Sequence, residues 1–433
     1  MSTLHTLLRQ CQLPALVPVI RRYTDDGIKD IAKAVHDTMD SSGIAARLPK
    51  GASVAVGVGS RGLARLPELV AATISWFKAQ GAAPFIIPTM GSHGGATAEG
   101  QIGVLEKLGV TEESAGAPIK ATMDVVQLGQ LEDGFPVYMD AYAAEADRIF
   151  FIARVKPHTG FSGKHESGLI KMITIGFGKQ RGADSCHTLG FGHFNRLVPA
   201  MAGVCLEAKP GILGGLATVE NAYDEPCVVR AVPRERLLEE DAELIIYARS
   251  RMPSIPAKDI DVLIVDHIGK NISGSGMDPN ITGKHASQYT SGGPNTSRIV
   301  ALDLYDASYG NASGVGAGDV ISKRLFDKID FDAMYTNSMT STLLSGVLIP
   351  VIMPTDEMAV RYGIKTCNAG SRPLKVVRIK DTLTMDRLLL SPALLDGAAK
   401  TGDCSVAGDE IPFSFDADGM LTNFDIWDHF PGL

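Results

Sequence analysis

Residues 53–62 read Ser-Val-Ala-Val-Gly-Val-Gly-Ser-Arg-Gly, and this stretch decides the fold class. Its first half is a short apolar run typical of a buried strand, and the glycines that follow predict a tight loop. A helical pattern comes next, over Pro67 to Gln80. A second strand, Pro84 to Pro88, and a second helix, Thr97 to Leu108, repeat this order. The alternation predicts an α/β domain with a mostly parallel sheet.

The same alternation continues along the chain. Helices are predicted at Asp26–Met39 and Glu235–Ser250, and strands at Asp147–Val155, Val262–Asp266, Arg298–Leu304, Leu348–Met353 and Leu374–Ile379. The Pro-containing stretch Pro253 to Pro256 separates the two groups of elements. We therefore predict two α/β domains with mostly parallel sheets, residues 1–258 and 259–433, with an active-site cleft between them.

Composition excludes several classes of protein. The net charge is −8 without a run of Lys or Arg, whereas a nucleic-acid binder needs a basic field. The N-terminus lacks the pattern of a signal peptide, and no window approaches the ~20 apolar residues of a membrane helix. The six cysteines are scattered, which is typical of reduced thiols. We expect a cytoplasmic protein that binds neither nucleic acid nor membrane.

The stretch Gly57-Val-Gly-Ser-Arg-Gly62 fits the GxGxxG dinucleotide fingerprint. That fingerprint also requires an acidic residue after the next strand, and Thr89 to His93 contains none. An ordinary NAD site is therefore disfavoured. The loop could still hold an anion at a helix N-terminus, with Arg61 as a bidentate partner, or it could be only a tight turn.

Two histidines lie in glycine-rich loops that follow predicted strands. His93 lies in Gly91-Ser-His-Gly-Gly95, and His158 lies in Lys156-Pro-His-Thr-Gly-Phe-Ser-Gly163. Ligands bind beyond the carboxyl ends of parallel strands, and imidazole titrates near neutral pH. A lone loop histidine is usually an ordinary surface residue. As a pair, however, these two would suit proton transfer on either face of one carbon.

Lys171 lies among apolar residues in Leu169-Ile-Lys-Met-Ile-Thr-Ile175, so we expect it to be partly buried. Such a lysine is paired, for instance with Glu166, or deprotonated, or covalently modified. Further along, Cys186 adjoins His187. Adjacent side chains seldom bind one metal, and a cysteine nucleophile there stays an alternative. The chain has neither HExxH nor GxSxG.

Taken together, these residues resemble the nickel-pincer nucleotide-dependent lactate racemases and their wider family of 2-hydroxyacid racemases and epimerases. The resemblance rests on glycine-flanked His93, on Pro157-His158 followed by Gly160-Phe-Ser-Gly163, and on Lys171 and His187 with the interval between them. It covers most of the chain and is strongest between about residues 50 and 195. Each motif alone is unspecific, and the combination is specific.

The resemblance implies a cofactor, nickel pyridinium-3,5-bisthiocarboxylic acid mononucleotide, attached covalently through Lys171. It implies His187 as the nickel ligand and His93 and His158 as the acid/base residues. It places Ser60, Arg61, Ser162 and Gly163 at the cofactor, and Arg61 and Lys270 at the substrate carboxylate. The first domain would hold the cofactor and the second would close the cleft. Implied partners are a small 2-hydroxy acid and the enzymes that mature the cofactor.

Some features depart from the lactate-specific members. Lys164 lies nearer the Phe-Ser-Gly element than Lys171 does and could be mistaken for the tether. The segment His165-Glu166-Ser167 lengthens this linker and slightly favours a larger, hydroxylated substrate. Two other functions stay open at this point: an NAD-dependent hydroxyacid dehydrogenase that uses the GVGSRG loop, and a carrier of nickel or cofactor without turnover.

Overall fold

The structure is a computed structural model and describes residues 3–60 and 62–432. Its strands are β1 Val17–Arg21, β2 Ser53–Val58, β3 Ala83–Pro88, β4 Val125–Gln130, β5 Pro136–Asp140, β6 Arg148–Arg154, β7 Ile212–Glu220, β8 Pro226–Pro233, β9 Asp259–Ile268, β10 Asn295–Leu304, β11 Val320–Ser322, β12 Val351–Met353, β13 Val376–Ile379, β14 Arg387–Leu390 and β15 Cys404–Val406.

Its α-helices are α1 Thr3–Arg9, α2 Ile31–Ser41, α3 Leu66–Ala79, α4 Ala98–Lys107, α5 Glu112–Ala115, α6 Ala141–Glu145, α7 Leu169–Lys171, α8 Lys179–His187, α9 Phe194–Ala208, α10 Leu237–Arg251, α11 Pro279–Thr282, α12 Lys323–Asp327, α13 Phe331–Ser341, α14 Asp356–Thr366 and α15 Leu395–Ala399. Between α7 and α8 lies a π-helix, Met172–Gly176. None of the helices in the described part of the chain has the length and apolar character that crossing a lipid bilayer requires.

The chain divides into two compact units. One is Asp25–Met252, and the other joins Met1–Thr24 to Pro253–Leu433. The break after Met252 lies close to the predicted boundary at residue 258, but the N-terminal segment differs from the prediction. Strand β1 pairs antiparallel with β14 and β15, so the segment that was expected in the first domain belongs with the second. Pairing between strands so distant in the chain leaves no local sequence signal.

The unit Asp25–Met252 is built on a five-stranded sheet with the order β3-β2-β6-β7-β8. The first four strands run parallel, and β8 is antiparallel to β7. Strands β4 and β5 form a separate antiparallel hairpin. The core of this unit packs the apolar face of α3 against the sheet, with Phe77 in an edge-to-face contact with Phe150. Parallel strands covered in this way are uniformly apolar, as residues 53–58 are.

The other unit contains an eight-stranded sheet with the order β12-β11-β10-β9-β13-β14-β1-β15. The strands from β12 to β13 run parallel, and β14, β1 and β15 add antiparallel pairings. A buried ion pair between Arg378 and Asp266 joins β13 to β9, and Trp427 donates its indole N–H to the same carboxylate. Both large sheets are thus mixed and mostly parallel, which confirms the predicted α/β class.

Candidate active site

Three adjacent parallel strands bring the predicted loops to one edge of the five-stranded sheet. The loop after β2 carries Ser60, the loop after β3 carries His93, and the loop after β6 carries His158. The Ser60 hydroxyl lies 2.5 Å from His93 Nδ1. A hydroxyl can donate to a ring nitrogen or accept from it, so this contact permits either tautomer of His93. Ser60, predicted at the cofactor, is thus a partner of His93.

The His93 loop is fastened to the segment that carries the predicted tether. The Gly91 amide donates to the Gly176 carbonyl at the end of the π-helix, at 3.4 Å. Gly91 has φ +60°, and a β-carbon there would lie 3.4 Å from Ile175. A glycine at this position therefore permits the left-handed turn. The loop and the π-helix are held together through backbone groups.

The His158 ring has a defined hydrogen-bonding state. The Gly160 amide donates to His158 Nδ1 at 2.9 Å. A ring nitrogen that accepts a hydrogen bond carries no proton, so the neutral imidazole of His158 bears its proton on Nε2. His158 therefore differs from His93, whose hydroxyl partner fixes neither tautomer. In this geometry His158 presents a donor at Nε2.

The buried carboxylate of Glu166 holds the backbone of the His158 loop. It accepts the amides of His158 at 2.6 Å and Gly163 at 3.0 Å, and it pairs with Arg249 at 2.7 Å. Burial raises the pKa of Glu166, while the two amides and Arg249 act in the opposite direction. His165 is likewise engaged, with Nδ1 2.9 Å from an Asp241 oxygen. Glu166 and His165 of the polar segment are therefore both bound to groups of the protein.

His158 and His187 meet across a cluster of phenylalanine rings, Phe161, Phe191 and Phe194. The centroid of Phe191 lies 5.5 Å from the His158 ring and 5.3 Å from the His187 ring. Phe194 lies 4.8 Å from His187, and Phe161 lies 4.7 Å from His158. The two imidazoles thus share one apolar wall, which excludes water from one side of each ring.

His187, the last residue of α8, is largely desolvated. Burial, with a smaller contribution from the positive charge of Lys171, lowers the pKa of His187 to about 4. At neutral pH its ring is therefore uncharged, which is the form that binds metals. Its Nδ1 atom is buried and has no hydrogen-bond partner within residues 3–60 and 62–432. A buried polar atom without a partner is unusual and calls for an explanation.

Lys171 lies within electrostatic range of His187, whereas Lys164 is an exposed residue of the preceding loop. The helix that carries Lys171 begins at Leu169, whose amide donates to a buried Asp241 oxygen at 2.6 Å. The Glu166 carboxylate, the anticipated partner of Lys171, forms an ion pair with Arg249. Of these two lysines, Lys171 is therefore the one whose charge acts on His187.

The remaining predicted residues fall into three groups. The Ser162 carbonyl accepts from Asn195 at 2.8 Å, and the Cα of Gly163 packs so tightly on Asn195 that a β-carbon would overlap it. Lys270 belongs to the other unit, where Nζ donates to the Gly274 carbonyl at 2.6 Å. Arg61 lies outside the described residues. The structure thus brings His93, His158, Lys171 and His187 into one unit.

Two of the three glycines of the GxGxxG stretch, Gly57 and Gly59, face protein side chains. A β-carbon on Gly57 would lie 2.6 Å from the Phe177 ring, and one on Gly59 would lie 3.1 Å from the Met172 methyl. In dinucleotide sites the corresponding glycine makes room for pyrophosphate. Here two of them make room for the segment that connects Lys171 to α8. Packing therefore accounts for Gly57 and Gly59.

Metal binding by protein side chains alone has no support in the described residues, which contain no cluster of three or more His, Cys, Asp or Glu suited to an ion. Cys186 is fully buried, and burial raises the pKa of its thiol to about 12. A nucleophilic cysteine needs a thiolate, so this residue is a poor candidate. Any metal at His187 would therefore need most of its ligands from a cofactor.

Sequence reasoning did not identify the residues that hold these loops, namely Asn195, Asp241 and, in its anchoring role, Glu166. The first two lie in helices and carry no motif.

No protein-family model matches the chain, and no curated protein does. Among solved structures, the lactate racemase apoprotein from Thermoanaerobacterium thermosaccharolyticum is similar, with 15% identity, a TM-score of 0.49, and coverage of 86% of this chain and 99% of that one. A protein from Thermotoga maritima is similar at 13% identity and TM-score 0.43, covering 65% of this chain and 72% of its own. Similarity at this level leaves function to be argued from the residues of the site.

Proposed function

We propose that this chain is a racemase or C2-epimerase of 2-hydroxy acids, a member of the lactate racemase family that carries a nickel-pincer nucleotide on Lys171. The proposal depends mainly on the surroundings of His187. Its ring is half-buried and uncharged at neutral pH, its buried Nδ1 atom is unsatisfied, and the positive charge of Lys171 acts on it. His158 shares the Phe191 wall with it, and the His93 loop is fastened to the same segment.

The residues fit such a cofactor. A metal that brings its own sulfur and carbon ligands needs only one more donor, and a neutral imidazole is a suitable one for nickel. Lys171 would attach the nucleotide and His187 would ligate the metal. When bound, the group supplies reversible hydride acceptance, which avoids placing a second negative charge next to the substrate carboxylate.

The histidines supply the proton chemistry. With its Nδ1–H donated to the Ser60 hydroxyl, His93 offers an unprotonated Nε2 to the substrate 2-hydroxyl. His158 offers Nε2–H to an oxygen on the substrate. To accept a proton at Nε2 itself, His158 must carry its other proton on Nδ1 and so give up the Gly160 bond. Arg61 and Lys270 stay predicted partners of the substrate carboxylate.

The test is to produce the protein together with cofactor-maturation enzymes and to measure intact mass and turnover on a panel of 2-hydroxy acids. We expect a covalent nucleotide adduct in wild type and in Lys164→Ala, and none in Lys171→Ala. Inversion at C2 should require both His93 and His158, with nickel still bound in either alanine variant. A wild type that has neither adduct nor turnover would refute the proposal.

The two alternative functions give different results in the same experiment. A carrier would contain the adduct but invert none of the hydroxy acids. A dehydrogenase would bind free NAD, measurable by calorimetry, and would consume it stoichiometrically. The packing of Gly57 and Gly59 against Phe177 and Met172 leads us to expect no NAD binding.

A further inference from the structure

Lys179 is a buried cation outside the set of residues considered so far. It starts α8, the helix that ends at His187, and it is completely buried. Its ammonium donates to the Pro88 carbonyl at 2.5 Å and to Gln101 Oε1 at 2.9 Å, and it lies 3.1 Å from an Asp140 carboxylate oxygen that is also buried. Three elements, β3, α4 and β5, thus converge on one nitrogen atom.

Two features of Lys179 are energetically unfavourable. Removing an ammonium from water is unfavourable, and burial lowers the pKa of Lys179 although Asp140 opposes that change. The backbone is also in the left-handed region, with φ +55°, which disfavours any residue but glycine or asparagine. A glycine would remove the strain, but it would leave Asp140 and Gln101 without their partner.

Gln101 connects Lys179 to the His93 loop by hydrogen bonds. Because its Oε1 accepts from Lys179, its amide nitrogen must be the atom that faces the loop. That nitrogen donates to the Gly91 carbonyl at 2.9 Å and to the His93 carbonyl at 3.3 Å. Gln101 is itself fully buried, so water does not compete for its amide nitrogen.

We propose that Lys179 and Gln101 are positioning residues that fix the loop of His93 relative to the helix of His187. Lys179 joins the start of that helix to the end of β3. Gln101 joins Lys179 to the carbonyl of His93. This inference rests on the proposed function only in giving His93 and His187 their chemical roles. The mechanical connection is independent of turnover.

Gln101→Glu tests separately the contact of residue 101 with Lys179 and its contacts with the His93 loop. The carboxylate keeps an acceptor for Lys179, but it places an oxygen against the carbonyls of Gly91 and His93 where a donor stood. Hydrogen exchange of the amides in residues 89–97 should become about tenfold to hundredfold faster, as loss of a buried hydrogen bond predicts. Gln127→Glu, the same change at an exposed glutamine of β4, is the matched control.

In cofactor-loaded protein, Gln101→Glu should lower kcat about tenfold or more with KM nearly unchanged, while nickel content stays at the wild-type value. Exchange in residues 89–97 that matches the Gln127→Glu control would overturn the proposal. So would a full kcat despite a loosened loop. If wild type itself has no turnover, the proposed function fails, and the exchange rates still decide whether the loop is held in this way.

Discussion

The anchor of the lysine-bearing helix can be tested at Asp241. This side chain is buried, and one of its oxygens accepts the amide of Leu169, the first residue of the helix that carries Lys171. Asp241→Ala would leave that amide buried without a partner, because Leu169 is itself fully buried. Stranding one such donor costs about 1–3 kcal/mol. Local opening at Leu169 should therefore become about fivefold to 150-fold more frequent.

The assay is native-state hydrogen exchange of the peptide that contains Leu169, because opening of the helix start exposes that amide. Asp241→Asn keeps an oxygen at nearly the same place and should restore most of the protection. Glu243→Ala removes an exposed carboxylate from the same helix and should have no effect. If Leu169 exchanges within a factor of two of wild type in Asp241→Ala, the anchoring argument is wrong. When it is produced together with the maturation enzymes, the alanine variant should also form the Lys171 adduct more slowly.

Three further outcomes follow from the geometry. The pKa of His187 in the folded protein is about 4, below its ordinary value of 6.5. The stability that the neutral ring contributes is therefore complete above pH 6.5 and is lost as the pH falls toward 4. In His187→Gln, the free energy of unfolding should vary less with pH across that window. Nitrogen-15 NMR of apoprotein should find neutral His158 protonated on Nε2, and an Nδ1–H signal would contradict the assignment. Gly57→Ala forces a methyl group against Phe177 and should cost about 1–3 kcal/mol in denaturant unfolding, whereas Gly62→Ala, with open space around it, should cost less than about 1.

The sequence predicted those parts of the fold in which each element carries its own signal. The strand at 53–58 and the helix at 66–79 emerge within one residue of their predicted ends, because an apolar run and a glycine stop mark them locally. Strand β7 was missed, since Gly214 and Gly215 interrupt its apolar pattern. Gly215 is there because the Phe151 ring packs where a side chain would stand, which is a tertiary cause invisible in the local sequence.

The candidate site likewise contains residues that the sequence predicts and residues that it does not. Histidines in glycine-rich loops can be recognised from the local sequence, and parallel topology brings such loops together. Their anchors cannot be found in this manner, because a buried Asp241 or Gln101 looks like any polar residue on a helix surface. Only the fold turns these side chains inward. The spacing between His165 and Asp241 carries no information until the helix and the loop are placed side by side.

These anchors bear on how the proposed chemistry could work at all. A loop with several glycines has many accessible conformations, and ordering it is costly in entropy. Proton transfer needs the ring nitrogen within about 3 Å of the substrate oxygen, so a mobile imidazole would seldom be in range. Glu166 holds the His158 loop by two amides, and Gln101 holds the His93 loop by two carbonyls. The glycines give the backbone its close approach, and the buried polar side chains restore the order that the glycines remove. Variants of the anchors should therefore lose rate before they lose fold, whereas variants of the histidines should lose the reaction itself.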